Sequence, residues 1–193
     1  DSGDPVGEDP VRFDRIPEDA SGIDRPNEGS WDQGDITAAV FDFDNDAWPD
    51  VYIGATDYPG NRGLLYRQSE PGQFTAVPPS DGIDHFRSHG VAVADFDRDG
   101  DLDLVAGHSR ARCGDTGECQ PTRQVRYFEN RLGDRGNWLQ LELVGGPRTN
   151  RSAIGARVTV RTDQTTQTQE VGGGHGHYGI QHDTTLHFGL GAA

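Results

Sequence analysis

Asp42, Asp44, Asp46 and Asp50 stand at positions 1, 3, 5 and 9 of the run "DFDNDAWPD", and Asp95, Asp97, Asp99 and Asp103 repeat that spacing in "DFDRDGDLD". In a tight turn, alternate side chains of such a run point to a common centre. Two carboxylates about 4 Å apart repel by about 1 kcal/mol in water and several-fold more at a partly buried site. Four of them converge only if some are protonated or a cation lies among them, and a hard divalent ion is the simplest remedy. Oxygen donors without histidine or cysteine favour Ca2+ over zinc or copper, with a backbone carbonyl and water completing the roughly six to eight ligands that ion takes. The residue at position 7 is the expected carbonyl donor, Trp48 in the first loop and Asp101 in the second.

Gly100 at position 6 suits a sharp turn, whereas Ala47 must meet the same backbone demand with a β-carbon, so the second loop is expected to be the better site. An EF-hand would carry glutamate at position 12. Those positions hold Ile53 and Ala106 and the flanks read as strands, which excludes it. Two other readings compete. A merely solvated acidic turn is disfavoured by the two matched copies, and a catalytic carboxylate pair by the need of a general acid for an apolar, uncrowded setting.

The elements around these loops form a repeat. "ITAAVFDFDNDAWPDVYIG" (36–54) aligns with "GVAVADFDRDGDLDLVAG" (90–107) at an offset of 53 residues. Each copy reads as an alternating strand, an acidic loop and a second apolar strand. Further strand candidates follow at 63–68, 72–78 and 124–130, and four short antiparallel strands per unit is the content of one propeller blade. "RFDRIPEDASGID" (12–24) resembles "QFTAVPPSDGID" (73–84), so the chain is expected to open late in a preceding blade. From Asn137 onward the acidic loop is absent and alternating strands are predicted at 138–144, 155–162, 166–172 and 184–188. The predicted units are thus a blade remnant over 1–30, blades over 31–83 and 84–136, and a small antiparallel β-domain over 137–193. The fold class is all-β, an incomplete β-propeller of about two four-stranded blades followed by that domain.

Composition narrows the function. The formal charge is −15 with no lysine, and the 17 positive charges are scattered arginines, which argues against a nucleic-acid surface. No run approaches the roughly 18 apolar residues of a membrane span, and the first ten residues lack the parts of a signal peptide. Cys113 and Cys119, close together in a glycine-containing loop without partnering histidines, read as a local disulfide, with two free thiols as the alternative; a disulfide implies an oxidising compartment.

His175, His177 and His182 in "GGGHGHYGIQHD" invite a transition-metal reading, and His175, His177 and Asp183 with a metal would make a metal-dependent hydrolase; a polar loop packing on a neighbour is the competing reading. His85, His89 and His108 are expected in outer-shell or surface roles around the second acidic loop. Asn150 opens a formal glycosylation sequon. No serine-histidine-aspartate triad, phosphate loop or dinucleotide fingerprint is present.

The doubled acidic loop resembles the calcium-binding blades of integrin-type propellers, the FG-GAP or VCBS repeats. "NRSAIGARVTV" and "LHFGLG" resemble the ASPIC/UnbV domain that follows such repeats in cartilage acidic protein-like proteins. The resemblance implies a non-enzymatic, extracellular or periplasmic protein with structural Ca2+ at two sites, used in adhesion or assembly. Such propellers have about seven blades. A protein partner or the missing blades are therefore expected to cover the open sheet edges, either around a free binding module or in a structural subunit of a larger extracytoplasmic or membrane-associated complex.

Overall fold

The computed structural model describes residues 13–25, 34–58, 60–110, 125–132, 136–176 and 180–193. Four short antiparallel strands, β1 (Asp35–Phe41), β2 (Asp50–Ala55), β3 (Leu64–Glu70) and β4 (Gln73–Val77), form one sheet in chain order. A second sheet holds β5 (Ser88–Ala94), β6 (Asp103–His108) and β7 (Val125–Phe128), again in chain order. The registers are superimposable: Phe41 faces Asp50 and Ala39 faces Tyr52 in the first sheet, while Ala94 faces Asp103 and Ala92 faces Val105 in the second. The 53-residue repeat is thus a structural repeat, and among the described residues the chain is all-β apart from one helical turn, α1 (Glu18–Ser21).

The two sheets share a core. Ala39, Tyr52 and Leu65 of the first pack with Val91, Val93, Leu104 and Ala106 of the second, and Phe41, Phe43 and Phe128 close around them. Polar bonds fix the sheets side by side: Thr37 Oγ1 donates to the carbonyl of His89 at 2.7 Å, and Tyr52 Oη and Ser88 Oγ lie 2.6 Å apart. Thr37 and Ala39 share one face of β1, since alternate side chains point the same way, so these bonds border the apolar core on the face it covers.

The second sheet has three strands among the described residues rather than the expected four. The next strand, β8 (Asn137–Leu141), pairs instead with β11 (Leu186–Gly191), placing Leu139 opposite Phe188. β9 (Arg157–Arg161) and β10 (Thr166–Glu170) form a hairpin. Val171, Leu186 and Phe188 are the buried centre of this C-terminal unit, with Leu139, Leu141, Val158 and Val160 around them. Its four strands fall where the alternating pattern predicts them.

Within the expected blade remnant, the described residues 13–25 hold one helical turn and no strand. Residues 13–16, the sequence counterpart of β4, pair with no strand, and Phe13 and Ile16 are 92% and 60% exposed. A strand needs a neighbour for its backbone groups, and α1 instead packs against β4, where the amide of Gln73 donates to the carbonyl of Ala20 at 2.9 Å. No helix among the described residues is long and apolar enough to cross a membrane.

Candidate metal centre

The loops joining β1 to β2 and β5 to β6 have one backbone design. Positions 4 and 6 are left-handed in both: Asn45 (φ 57°) and Ala47 (φ 76°) in the first, Arg98 (φ 65°) and Gly100 (φ 96°) in the second. Ala47 therefore adopts the conformation expected of it at the expense of a β-carbon in a region that L-residues avoid.

Carboxylates hold these turns in shape. Position 1 accepts from the amides of positions 5 and 6: Asp46 N to Asp42 Oδ1 at 3.2 Å and Ala47 N to Asp42 Oδ2 at 2.8 Å, then Asp99 N to Asp95 Oδ1 at 3.2 Å and Gly100 N to Asp95 Oδ2 at 3.1 Å. Position 5 accepts from position 7, Trp48 N to Asp46 and Asp101 N to Asp99, both at 2.9 Å. Position 9 reaches furthest. Asp50 accepts from Phe43 N at 3.0 Å and Gln68 N at 2.8 Å, while Asp103 accepts from Phe96 N at 3.0 Å and Asn130 N at 2.8 Å. Each final aspartate thus latches its loop to the end of the third strand.

Carboxylate oxygens also converge within each loop. Asp42, Asp44 and Asp50 bring one oxygen each within 4.8 Å of one another in the first loop, all buried; Asp95, Asp97 and Asp99 do so in the second, closer to solvent. Burial, reinforced by neighbouring carboxylates, pushes Asp42 up to about 7 and Asp50 up to about 8, and raises Asp44 as well. Asp97 is also raised, by desolvation and by Asp99 and Asp103. Asp44 Oδ1 is buried without a hydrogen-bond partner in a residue only 3% exposed. An orphaned buried oxygen on a carboxylate grouped with two others is the environment of a cation ligand.

The loops are not identical, and sequence reading missed the residues that distinguish them. Arg67 pairs with Asp44 Oδ2 at 2.6 Å through Nε and with Asp46 Oδ2 at 3.0 Å through Nη2, so the first loop carries an arginine on one flank. The strand registers put Glu129 at the equivalent place in the second. Tyr127 Oη donates to Asp103 Oδ2 at 3.0 Å. Only the pairing of β3 with β2 and of β7 with β6 brings these residues to the loops, and local spacing cannot show that.

Of the ten residues predicted for the two sites, Asp42, Asp44 and Asp50 come together in the first loop and Asp95, Asp97 and Asp99 in the second; Asp46 also pairs with Arg67 and Asp103 also accepts from Tyr127. Trp48 is 37% exposed. Asp101 is buried, and its side chain accepts from Asn45 Nδ2 at 2.9 Å.

Three histidines lie away from the loops. His85, His89 and His108 are at the opposite end of the second sheet from its acidic loop, because Ser88 faces His108 across β5 and β6. This corrects their outer-shell assignment, and His85 and His108 are buried rather than surface residues. The His175 and His182 rings lie 5.2 Å apart, and the loop docks on β5: Val93 N donates to His182 Nδ1 at 3.1 Å and Asp183 N to the Val93 carbonyl at 3.3 Å. His177, Cys113 and Cys119 lie outside the described residues.

Residues 26–106 match the FG-GAP-like repeat family, and residues 146–193 match the ASPIC and UnbV family. The chain is 29% identical over 163 residues to cartilage acidic protein 1 of Xenopus tropicalis, and equally to those of Mus musculus and Homo sapiens. Each alignment covers 80% of this chain and 23% of the relative, so the chain spans about a quarter of the length of the curated relatives it matches. The chain is thus similar to FG-GAP-like repeats in its first half and to the ASPIC and UnbV family at its end.

Proposed function

We propose that this chain is a non-enzymatic, extracellular or periplasmic binding and adhesion module built from integrin-like blades, each acidic loop of which takes one Ca2+. The observation that carries this reading is the orphaned, buried Asp44 Oδ1, set among raised carboxyls in a loop whose hydrogen-bond scaffold recurs 53 residues later. Asp42, Asp44 and Asp50 would hold the first ion and Asp95, Asp97 and Asp99 the second, all through oxygen. Position 7, Trp48 or Asp101, would add a carbonyl. A bound Ca2+ supplies positive charge that lets the carboxylates stay ionised while buried. The protein then uses the loops as staples between strands, with no catalytic step.

Calcium removal tests this. Excess chelator is expected to lower the melting temperature by at least about 5 °C, the consequence of losing a ligand bound only to the folded state. An unchanged melting temperature in chelator overturns the reading.

The outer edge of β7 favours a second reading, a structural subunit of a larger extracytoplasmic or membrane-associated assembly. No described strand pairs there, and Val125 and Tyr127 are 74% and 47% exposed. Open apolar edges invite another strand. The native particle is then expected to be heavier than one chain by native mass spectrometry, with a partner in fixed ratio. A stable, monodisperse single chain sinks this second reading.

A further inference from the structure

The two acidic loops lie under the C-terminal sheet, and a continuous polar chain joins all three. Asn45 at position 4 of the first loop donates through Nδ2 to the Gly100 carbonyl at 3.2 Å and to Asp101 Oδ1 at 2.9 Å, tying the first loop to the second. With that amide group committed as donor, Asn45 Oδ1 is the acceptor for His187 Nε2 of β11, 2.7 Å away. His187 then carries its proton on Nε2 and offers Nδ1 to Gln140 of β8, whose amide lies 3.4 Å from it and donates to Asp95 Oδ2 at 2.7 Å. The main chain adds a bond from Gly191 N to the Asn45 carbonyl at 2.8 Å.

The sheet covers position 1 of both loops. A β-carbon at Gly189 would fall on Asp42 Oδ2, so only glycine lets β11 lie on that carboxylate. Gln140 caps the matching Asp95. Trp138 of β8 lies against Gly100, where a β-carbon would meet its indole, and stacks on His187 with ring centroids 6.1 Å apart.

We infer that the β8–β11 sheet is a clamp whose docking is coupled to ion occupancy of both loops, giving the C-terminal region the task of locking the blades in their loaded state. The inference rests on the calcium reading above. Covering Asp42 and Asp95 strips water from carboxylates already crowded by their neighbours, which disfavours docking while the loops are empty. Filling the loops offsets that penalty, so docking and loading strengthen each other, by the same factor in each direction.

The test uses the full chain, with calcium alone as the probe. Chelator is expected to speed amide exchange at Leu139, Leu141, His187 and Phe188 by about tenfold or more, within the usual range of such couplings, and less in the β9–β10 hairpin. Gly189→Val is expected to weaken calcium binding at the first loop at least about tenfold by calorimetry. Gln140→Ala, which leaves the packing in place, is expected to weaken the second loop by about threefold to tenfold, and it carries the test if the valine variant does not fold. Calcium binding with neither the exchange rates nor the variants' affinities changed overturns the clamp alone. Absence of calcium binding by the wild-type chain overturns the clamp together with the metal reading it rests on.

Discussion

His85 shows how a single side chain can set an acid limit on this protein. It is 1% exposed, neither ring nitrogen has a hydrogen-bond partner, and it sits between His108 and Phe128 with ring centroids 5.7 Å and 5.6 Å away. Burial first, and then the positive charge of Arg126 and His108, hold its pKa down at about 4. In the unfolded chain it returns to about 6.5, so the unfolded state binds more protons between these values. Its contribution is complete above about pH 6.5 and is lost as pH falls through the window to about 4, roughly 2 kcal/mol being gone by pH 5. His85→Phe should remove that term. Denaturant titrations at pH 7.5 and 5 are expected to show a drop in wild-type stability larger by about 2 kcal/mol than the drop in the variant. Equal drops would show that His85 keeps an ordinary pKa in the folded protein.

At the scale of the element, each blade is held by an aspartate that belongs to a strand as much as to a loop. Asp50 opens β2 and joins the amide of Phe43 to that of Gln68, so its role is to fix where β3 ends. Asp44 has no such duty: one oxygen pairs with the half-exposed Arg67 and the other is orphaned. The two should therefore separate by conditions. Asp50→Ala strands two buried amides and is expected to cost about 2–4 kcal/mol both in calcium and in chelator. Asp44→Ala is expected to destabilise only in calcium and to be near neutral in chelator, where it relieves repulsion. The check is chemical denaturation of both variants in both buffers, and an Asp44→Ala loss in chelator equal to that of Asp50→Ala would mean that both carboxylates are structural latches. The spacing of the aspartates made the loops and their flanking strands legible in sequence, because that information is local. What Asp50 and Asp103 grip was not, because Gln68 and Asn130 arrive by strand pairing.

The whole molecule extends that contrast between local and distant information. The 53-residue repeat and the change of pattern at Asn137 revealed two blade-like sheets and a separate β-unit, each a periodic signal within one segment. The docking of the third on the first two was marked only by Gly189, a glycine inside an apolar strand pattern, which is the sign of close backbone approach. Across all three units runs a charge of −15, and the 17 arginines are too scattered to neutralise the acidic loops. Such a chain repels itself when compact. Sodium chloride screens that repulsion, the Debye length falling from about 30 Å at 0.01 M to about 10 Å at 0.1 M. In chelator the melting temperature is therefore expected to rise by several degrees between 0.01 M and 0.5 M sodium chloride, with most of the gain below about 0.1 M. The buried carboxylates of the first loop are reached poorly by diffuse ions, so millimolar calcium should raise stability further even at 0.5 M sodium chloride. Thermal melts across this grid separate the two effects. If 0.5 M sodium chloride abolishes the calcium increment, the loops respond to ionic strength and not to an ion seated among Asp42, Asp44 and Asp50.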